Sequence, residues 1–295
     1  MSDWLADQIA AFLDHITFER GVAPNTVSAY QNDLRQFREY LGGSAGLAAQ
    51  VSDTYGLDSG TVAGFVISLR DKGYAQASIA RKVAAVKSFF HYASENGLLP
   101  SNPAAALDSP RVPRSIPHAV DPDEIGALLD KGCDGTGPDD LRDRAMLTLL
   151  YHSGMRVSEL VAIDVDDVDL EAHAICCRGR HDRIRQIPLT DTATRVISDY
   201  YQNGRIYLSR LDESKNRALF LNHRGTRLTR QGFWLIMKER ARRAGVLSPM
   251  TPHALRHAFA LKHLGMGTPL RDLKELLGHV NISTTQIYTQ AGRQS

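Results

Sequence analysis

The segment HALRH, residues 253–257, places His253 and Arg256 three residues apart, on one face of any helix that contains them. Thr251 and Pro252 just before it supply a helix cap and a first-turn proline. A guanidinium beside an imidazole suits a phosphate ester, because the cation holds oxygens while the ring moves a proton. His253 and His257 also have the spacing of a zinc protease. That chemistry wants glutamate after the first histidine, and Ala254 stands there, so a metal is set aside. Taken alone, the motif leaves an ordinary surface pair open. Two further segments carry reactive types. In GMRVSEL, Arg156 follows a glycine helix stop, with Glu159 three residues on. In LLGHVNISTTQIYTQ, His279 follows Gly278 directly and Tyr288 lies nine residues later. A tyrosine hydroxyl is a potential nucleophile. With ten tyrosines in the chain, packing is the plainer reading of any one of them.

The elements that must position these residues follow from apolar period and breakers. Leu5, Ile9, Phe12, Leu13 and Ile16 form one helical stripe, and Val27, Tyr30, Leu34 and Phe37 a second that starts after Pro24 and stops at Gly42 and Gly43. Helices are expected over 61–72 and 78–96, each ended by glycine. On the last, Ile79, Val83, Val86 and Phe90 face inward, leaving Arg81, Lys82 and Lys87 off that stripe and able to face DNA; ordinary solvated charge explains them equally well. Five prolines between Pro100 and Pro117 then mark an extended linker. The expected organisation is a helical domain over 1–107, a linker over 108–117 and a second domain over 118–295. The second domain opens with Asp121 as cap, Pro122 at the first helical position and Glu124 at the third. A helix over 139–153 leads to Gly154 and a short helix holding RVSEL. Residues 174–178 and 184–189 alternate like strands around the polar turn GRHDR, and 218–222 reads as another short strand.

Composition narrows the class. The 295 residues hold 35 basic and 33 acidic side chains and are 43% hydrophobic, as in an ordinary globular protein of about two domains. No apolar run approaches the ~18 residues of a membrane span. Asp3 and Asp7 stand where a signal peptide would carry lysine or arginine. Cys133, Cys176 and Cys177 are too few for a disulfide framework, which points to a reduced, cytoplasmic chain. The near-zero balance hides a pattern: residues 121–171 hold 14 acids and 4 bases, whereas 178–243 hold 16 bases and 6 acids. Local potential, not the sum, attracts a polyanion, and arginine's planar fork suits phosphate. Two opposed faces are expected.

Taken together, these boxes resemble the tyrosine recombinases, and within them the Xer-type site-specific recombinases, over nearly the whole length. GMRVSEL resembles the first arginine box, HALRH the H-x-x-R box, and LLGH with STTQIYT the second-histidine and nucleophile box. Each is modestly specific; all in order, at fitting separations, make coincidence negligible. The resemblance implies a mostly α fold with a small β-sheet hairpin, arranged as a two-domain C-shaped DNA clamp: an N-terminal helical, SAM-like core-binding domain and a tyrosine recombinase catalytic domain. It implies Tyr288 as the nucleophile that forms a 3′-phosphotyrosyl link, Arg156 and Arg256 on the non-bridging oxygens, His253 in proton transfer, and His279 on the phosphate. Glu159 and His257 would support them from behind. No cofactor or metal is implied.

One box departs from the pattern. The family carries a lysine in a hairpin segment like GKGxKERxVPL, and in GRHDRIRQIPL, residues 179–189, Arg180 falls on that lysine. Arginine stabilises a developing alkoxide but gives up its proton reluctantly, so cleavage slower than in lysine-bearing relatives is expected. The alternative is that His181, Arg183 or a water takes the role. Arg183, Arg224, Arg227 and Arg230 are candidate DNA contacts, with Thr26, Arg81 and Lys82 weaker ones.

The implied partners are a duplex recombination site and a homo- or hetero-tetramer spanning two sites, with a paired recombinase and a DNA translocase left open. No membrane is involved, and the implied location is the nucleoid. Chromosome or plasmid dimer resolution is the first expectation; a mobile-element integrase, a topoisomerase and a non-catalytic DNA-binding relative are its rivals. The C-terminal segment of this family docks on a neighbouring protomer; seven residues follow Tyr288 here, few for that exchange.

Overall fold

The computed structural model describes residues 4–43, 57–108, 120–179, 184–209 and 216–278. The chain divides into two compact units, Met1–Arg114 and Ser115–Ser295. Most of the expected linker lies outside the described residues.

The first unit is helical: α1 (Trp4–Phe18), α2 (Pro24–Gly43), α3 (Ser59–Asp71) and α4 (Gln76–Glu95). Leu5, Ile9, Phe12 and Ile16 are buried along α1, every third or fourth residue, so one stripe faces the core. α3 starts two residues ahead of the expected Thr61 because Asp58 caps it, its carboxylate accepting from the Thr61 amide at 2.7 Å. Aromatic rings close the centre, Phe37 meeting Phe65 and Phe90 edge-on at 5.1 and 5.7 Å. Lys82 corrects the helical reading of α4. It is 2% exposed, and its ammonium donates to Asp33 Oδ1 at 3.0 Å and Gln36 Oε1 at 2.8 Å on α2. A buried carboxylate needs such a partner, so this lysine joins two helices and does not face outward to a phosphate. Arg81 also pairs with Asp33 but remains 44% exposed.

The second unit is built around α6 (Pro138–Ser153), which buries Leu141, Ala145, Met146, Leu147, Leu149 and Leu150. From Ala145 to Leu150 every residue of the helix is buried, so it runs through the centre of the unit. Beside it run α5 (Pro122–Asp130), the short α7 (Val157–Leu160), α8 (Asp191–Tyr200), α9 (Ile206–Leu208), α10 (Arg230–Arg243), α11 (Pro252–Gly265) and α12 (Leu270–Leu277). The Asp121 side chain accepts from the Asp123 amide at 2.9 Å, a cap ahead of Pro122 as its sequence suggests. Glu124 differs from the expected capping acid: it accepts from the amides of Leu247 and Ser248, both at 3.2 Å, tying α5 to a distant loop. α8 has no counterpart in the sequence reading. Thr190 caps it, Ala193, Ile197 and Tyr200 face inward, and one π-type turn, Tyr201–Arg205, carries it into α9.

Three antiparallel strands, β1 (Val168–Asp169), β2 (Ala174–Arg178) and β3 (Ile184–Pro188), lie in sequence order. β2 and β3 pair antiparallel from Ala174↔Pro188 to Arg178↔Ile184, and residues 180–183 between them lie outside the described residues. The strand expected over 218–222 is absent as a strand; isolated bridges Asp164↔Ala218 and Leu221↔Arg227 stand in its place. Side chains satisfy this backbone instead. Tyr200 Oη donates to the Leu219 carbonyl at 3.1 Å and accepts from the Leu221 amide at 3.3 Å, while buried Arg205 donates to the Ala218 carbonyl.

The two charge blocks meet each other here, contrary to the expectation of separate faces. Arg240 is buried and clasps Asp143 with Nε at 2.8 Å and Nη2 at 2.6 Å, and Arg142 grips the other oxygen of the same carboxylate. Arg227 pairs with Asp164, and Arg217 with Asp166 at 2.9 Å. Acids of 121–171 thus neutralise arginines of 178–243 internally.

Candidate active site

α6 ends at Gly154, whose φ of +59° is left-handed; a Cβ there would lie 2.3 Å from Cδ1 of Phe259 on α11. Only glycine fits this turn. The reversal sets Arg156 as the residue capping α7, with its side chain 30% exposed. Glu159, one turn later, reaches back, and its Oε2 accepts from the Arg156 amide at 2.8 Å. Its Oε1 accepts from Arg156 Nη1 at 2.9 Å.

α11 brings the second arginine. Thr251 caps the helix by accepting from the Ala254 amide at 3.1 Å, and Pro252 follows. Arg256, 5% exposed, donates through Nη1 to the Gly154 carbonyl and through Nη2 to the Leu277 carbonyl at 2.6 Å. Arg156 Nη2 donates to the next carbonyl along, Gly278, at 2.9 Å. Two arginines a hundred residues apart in sequence therefore sit on consecutive carbonyls at the left-handed end of α12, where Gly278 has φ +62°.

A third arginine completes the cluster. Arg185, the second residue of β3, donates to both oxygens of Glu159, Nη1 to Oε1 at 3.0 Å and Nη2 to Oε2 at 2.8 Å. The sequence reading missed it as a site residue. Its signal was strand parity: it shares the inward face of β3 with buried Ile187.

The Glu159 side chain is 5% exposed. Burial by itself would raise its pKa, but the hydrogen bonds from Arg185 and the Arg156 amide and the charges of both arginines outweigh that and hold it at about 2. The cluster holds three arginines and one carboxylate, which pairs with Arg156 and Arg185, and the excess of positive charge suits an anionic phosphate that gains charge in a transition state. Burial and the neighbouring His253 push His257 down to about 4, so it is neutral at pH 7. Burial first, then Glu159, pushes the Cys177 thiol up to about 11, leaving it protonated and unreactive.

These shifts set an acid limb. Both groups have folded pKa values below their ordinary ones of 6.5 and 4.5, so the unfolded chain binds protons first. The stability these two groups contribute is full above pH 6.5. It falls between 6.5 and about 4 through His257, and between 4.5 and about 2 through Glu159. Urea unfolding at stepped pH should show this decline, with Glu159→Gln flattening its lower part and His257→Gln its upper part. Unchanged slopes in both variants would contradict the assignment.

The described residues include only some of the other expected ones. His253 is exposed on α11, one turn before Arg256. Arg180, Arg183, His279 and Tyr288 lie outside the described residues. Arg224 and Arg230, the latter at the start of α10, are exposed. Arg227 donates to the Val161 and Ile163 carbonyls at 3.0 and 3.1 Å besides pairing with Asp164, so its fork is already held within the chain. Among the described residues no cluster of three or more His, Cys, Asp or Glu could hold a metal, and no helix is long and apolar enough to cross a membrane.

Residues 118–294 match the phage integrase family, and residues 9–97 match the N-terminal SAM-like domain of phage integrases. The chain is 45% identical to tyrosine recombinase XerC of Roseiflexus castenholzii, over 98% of this chain and 90% of that one. It is 41% identical to tyrosine recombinase XerD of Listeria monocytogenes, over 96% and 93%. Among solved structures it is similar to the XerH site-specific recombinase bound to a palindromic difH substrate, with a TM-score of 0.73, 20% identity, and 99% and 94% of the two chains covered. It is also similar to the Tn1549 transposon integrase in complex with transposon right-end DNA, with a TM-score of 0.74, 17% identity, and 97% and 98% covered. At such identities these structures speak for the fold.

Proposed function

This chain belongs to the phage integrase family and is a tyrosine site-specific recombinase, and we propose that it resolves chromosome or plasmid dimers by Xer-type recombination at a duplex DNA site. The observation that carries the chemistry is the seating of Arg156 and Arg256 on the consecutive Gly278 and Leu277 carbonyls, which supports a shared phosphate between them.

In this reading the Tyr288 hydroxyl oxygen attacks the scissile phosphorus and loses its proton, with His253 taking part in that transfer. The bond from phosphorus to the 5′-oxygen breaks, the 5′-oxygen takes from solvent a proton equivalent to the one Tyr288 gave up and leaves as a hydroxyl, and the 3′-phosphate stays on the tyrosine. A 5′-hydroxyl from the partner strand then attacks the phosphotyrosine, and Tyr288 is released. The covalent link conserves the energy of the broken bond, so no nucleotide cofactor is required. Arg156 and Arg256 hold the non-bridging oxygens as negative charge grows, His279 hydrogen-bonds the phosphate, and Arg180 faces the leaving oxygen as a fixed cation.

Arg224 and Arg230 remain the candidates for DNA contact in the catalytic domain, with Arg183 on the hairpin and the half-exposed Arg81 in the N-terminal domain. The chain works as a tetramer across two sites in the cytoplasm, at the nucleoid; a paired recombinase and a DNA translocase are its proposed partners. A duplex carrying a nick just 3′ of the scissile phosphate tests the reading, because the short fragment diffuses away and traps the enzyme. A covalent protein–DNA band on a denaturing gel is expected; a chain that binds its site and never traps overturns the assignment.

A further inference from the structure

We infer that Arg185 is a positioning residue: by gripping both oxygens of Glu159 it prevents that carboxylate from capturing Arg156, and so keeps the Arg156 guanidinium turned to the phosphate. The inference rests on the recombinase reading of the site.

The geometry is a competition for one acid. Glu159 offers two oxygens, and Arg185 takes both, at 3.0 and 2.8 Å. Arg156 gets a single Nη1 contact to Oε1, since Oε2 already serves its amide. Its Nη2 is left for the Gly278 carbonyl. A two-pronged arginine–carboxylate pair is the stronger arrangement, and removing Arg185 would open it to Arg156, one turn from the acid. With Arg185 removed, Glu159 and Arg156 would close into a neutral pair, and the charge facing the phosphate would fall by one. With Arg185 present, Glu159 and Arg185 cancel, and Arg156 keeps its charge.

Arg185 is itself tightly placed. Its side chain is 18% exposed, and a Cβ at Gly278 would come within 2.7 Å of its Nη1 and 2.9 Å of its Cζ. It packs on the glycine that immediately precedes His279 in sequence, and it is the second residue of β3. One side chain therefore connects the hairpin, the first arginine box and the end of α12. Lysine cannot replace it fully, because a point charge does not span both oxygens.

The test uses the full chain on the nicked duplex under single-turnover conditions. Arg185→Gln should slow covalent capture at saturating DNA by about 100-fold, the cost of a reacting group misplaced by about 1 Å, while DNA affinity changes less than about twofold. Arg185→Lys should fall between. The double variant Arg185→Gln with Glu159→Gln should recover at least about tenfold over Arg185→Gln, because a neutral amide does not draw Arg156 away. A merely structural role would give no such recovery, since the double variant loses further contacts. Capture by Arg185→Gln within about threefold of the unmodified chain, or no recovery in the double variant, overturns the proposal. A crystal structure of the free Arg185→Gln protein decides the same point without any reaction. Arg156 should then contact both Glu159 oxygens, and an Arg156 still on the Gly278 carbonyl with one contact to Glu159 overturns the proposal. An unmodified chain that fails to trap overturns the recombinase reading, whereas this structural result bears on Arg185 alone.

Discussion

Arg256→Ala should slow covalent capture by about 1000-fold, the upper range for removing one fixed donor from a developing oxyanion. It should also destabilise the catalytic domain by about 2–4 kcal/mol, because two buried carbonyls lose their partners. The two effects have one origin. The guanidinium is buried, and both of its outer nitrogens hold helix ends, Gly154 at the end of α6 and Leu277 at the end of α12. Those carbonyls have no intrahelical donor, so the arginine completes each helix while both helices fix the arginine. Arg256→Lys keeps the charge but reaches only one carbonyl, and it should fall between the extremes on both measurements. Single-turnover capture and urea unfolding read them separately. Capture within tenfold of the unmodified chain would remove Arg256 from the phosphate site.

Tyr288→Phe should behave in the opposite way, abolishing the covalent band while leaving folding and DNA affinity intact. The substitution removes one oxygen, and that oxygen is the proposed nucleophile. Nothing else in the reaction substitutes for it, since the bond energy of the backbone has to be held on the enzyme. The variant should bind the recombination site within about twofold of the unmodified chain and unfold within about 0.5 kcal/mol of it, since only a hydroxyl is removed. A covalent band that persists would move the nucleophile to another tyrosine.

What the sequence made legible was local. Asp121 before Pro122 and Thr251 before Pro252 mark helix starts that the structure contains, because a cap and its amide lie two or three residues apart. The strands on either side of GRHDR follow the same logic: Arg178 pairs with Ile184 six residues on, and alternation declares both strands. What stayed hidden depends on partners far along the chain. Lys82 is an exposed helix charge until Asp33, 49 residues earlier, is folded against it. Arg240 belongs to a basic run until α6 brings Asp143 to it across 97 residues. Arg185 lies inside the segment GRHDRIRQIPL, yet its contact needs Glu159, 26 residues away. The motif boxes named Arg156 and Arg256 one by one; that they occupy neighbouring carbonyls of a single chain segment is a tertiary fact.

The internal neutralisation of the basic block has a thermodynamic consequence for binding. The dependence of DNA affinity on salt counts counterions released from phosphates, with a log–log slope of roughly −0.9 per phosphate neutralised. An arginine that already faces a carboxylate, as Arg227 faces Asp164 and Arg240 faces Asp143, brings no unmatched charge to that exchange. The sixteen bases of residues 178–243 would suggest a steep slope. If this stretch lies on DNA as proposed, the number of ions it displaces should instead follow the cations that no described carboxylate matches, such as Arg224 and Arg230.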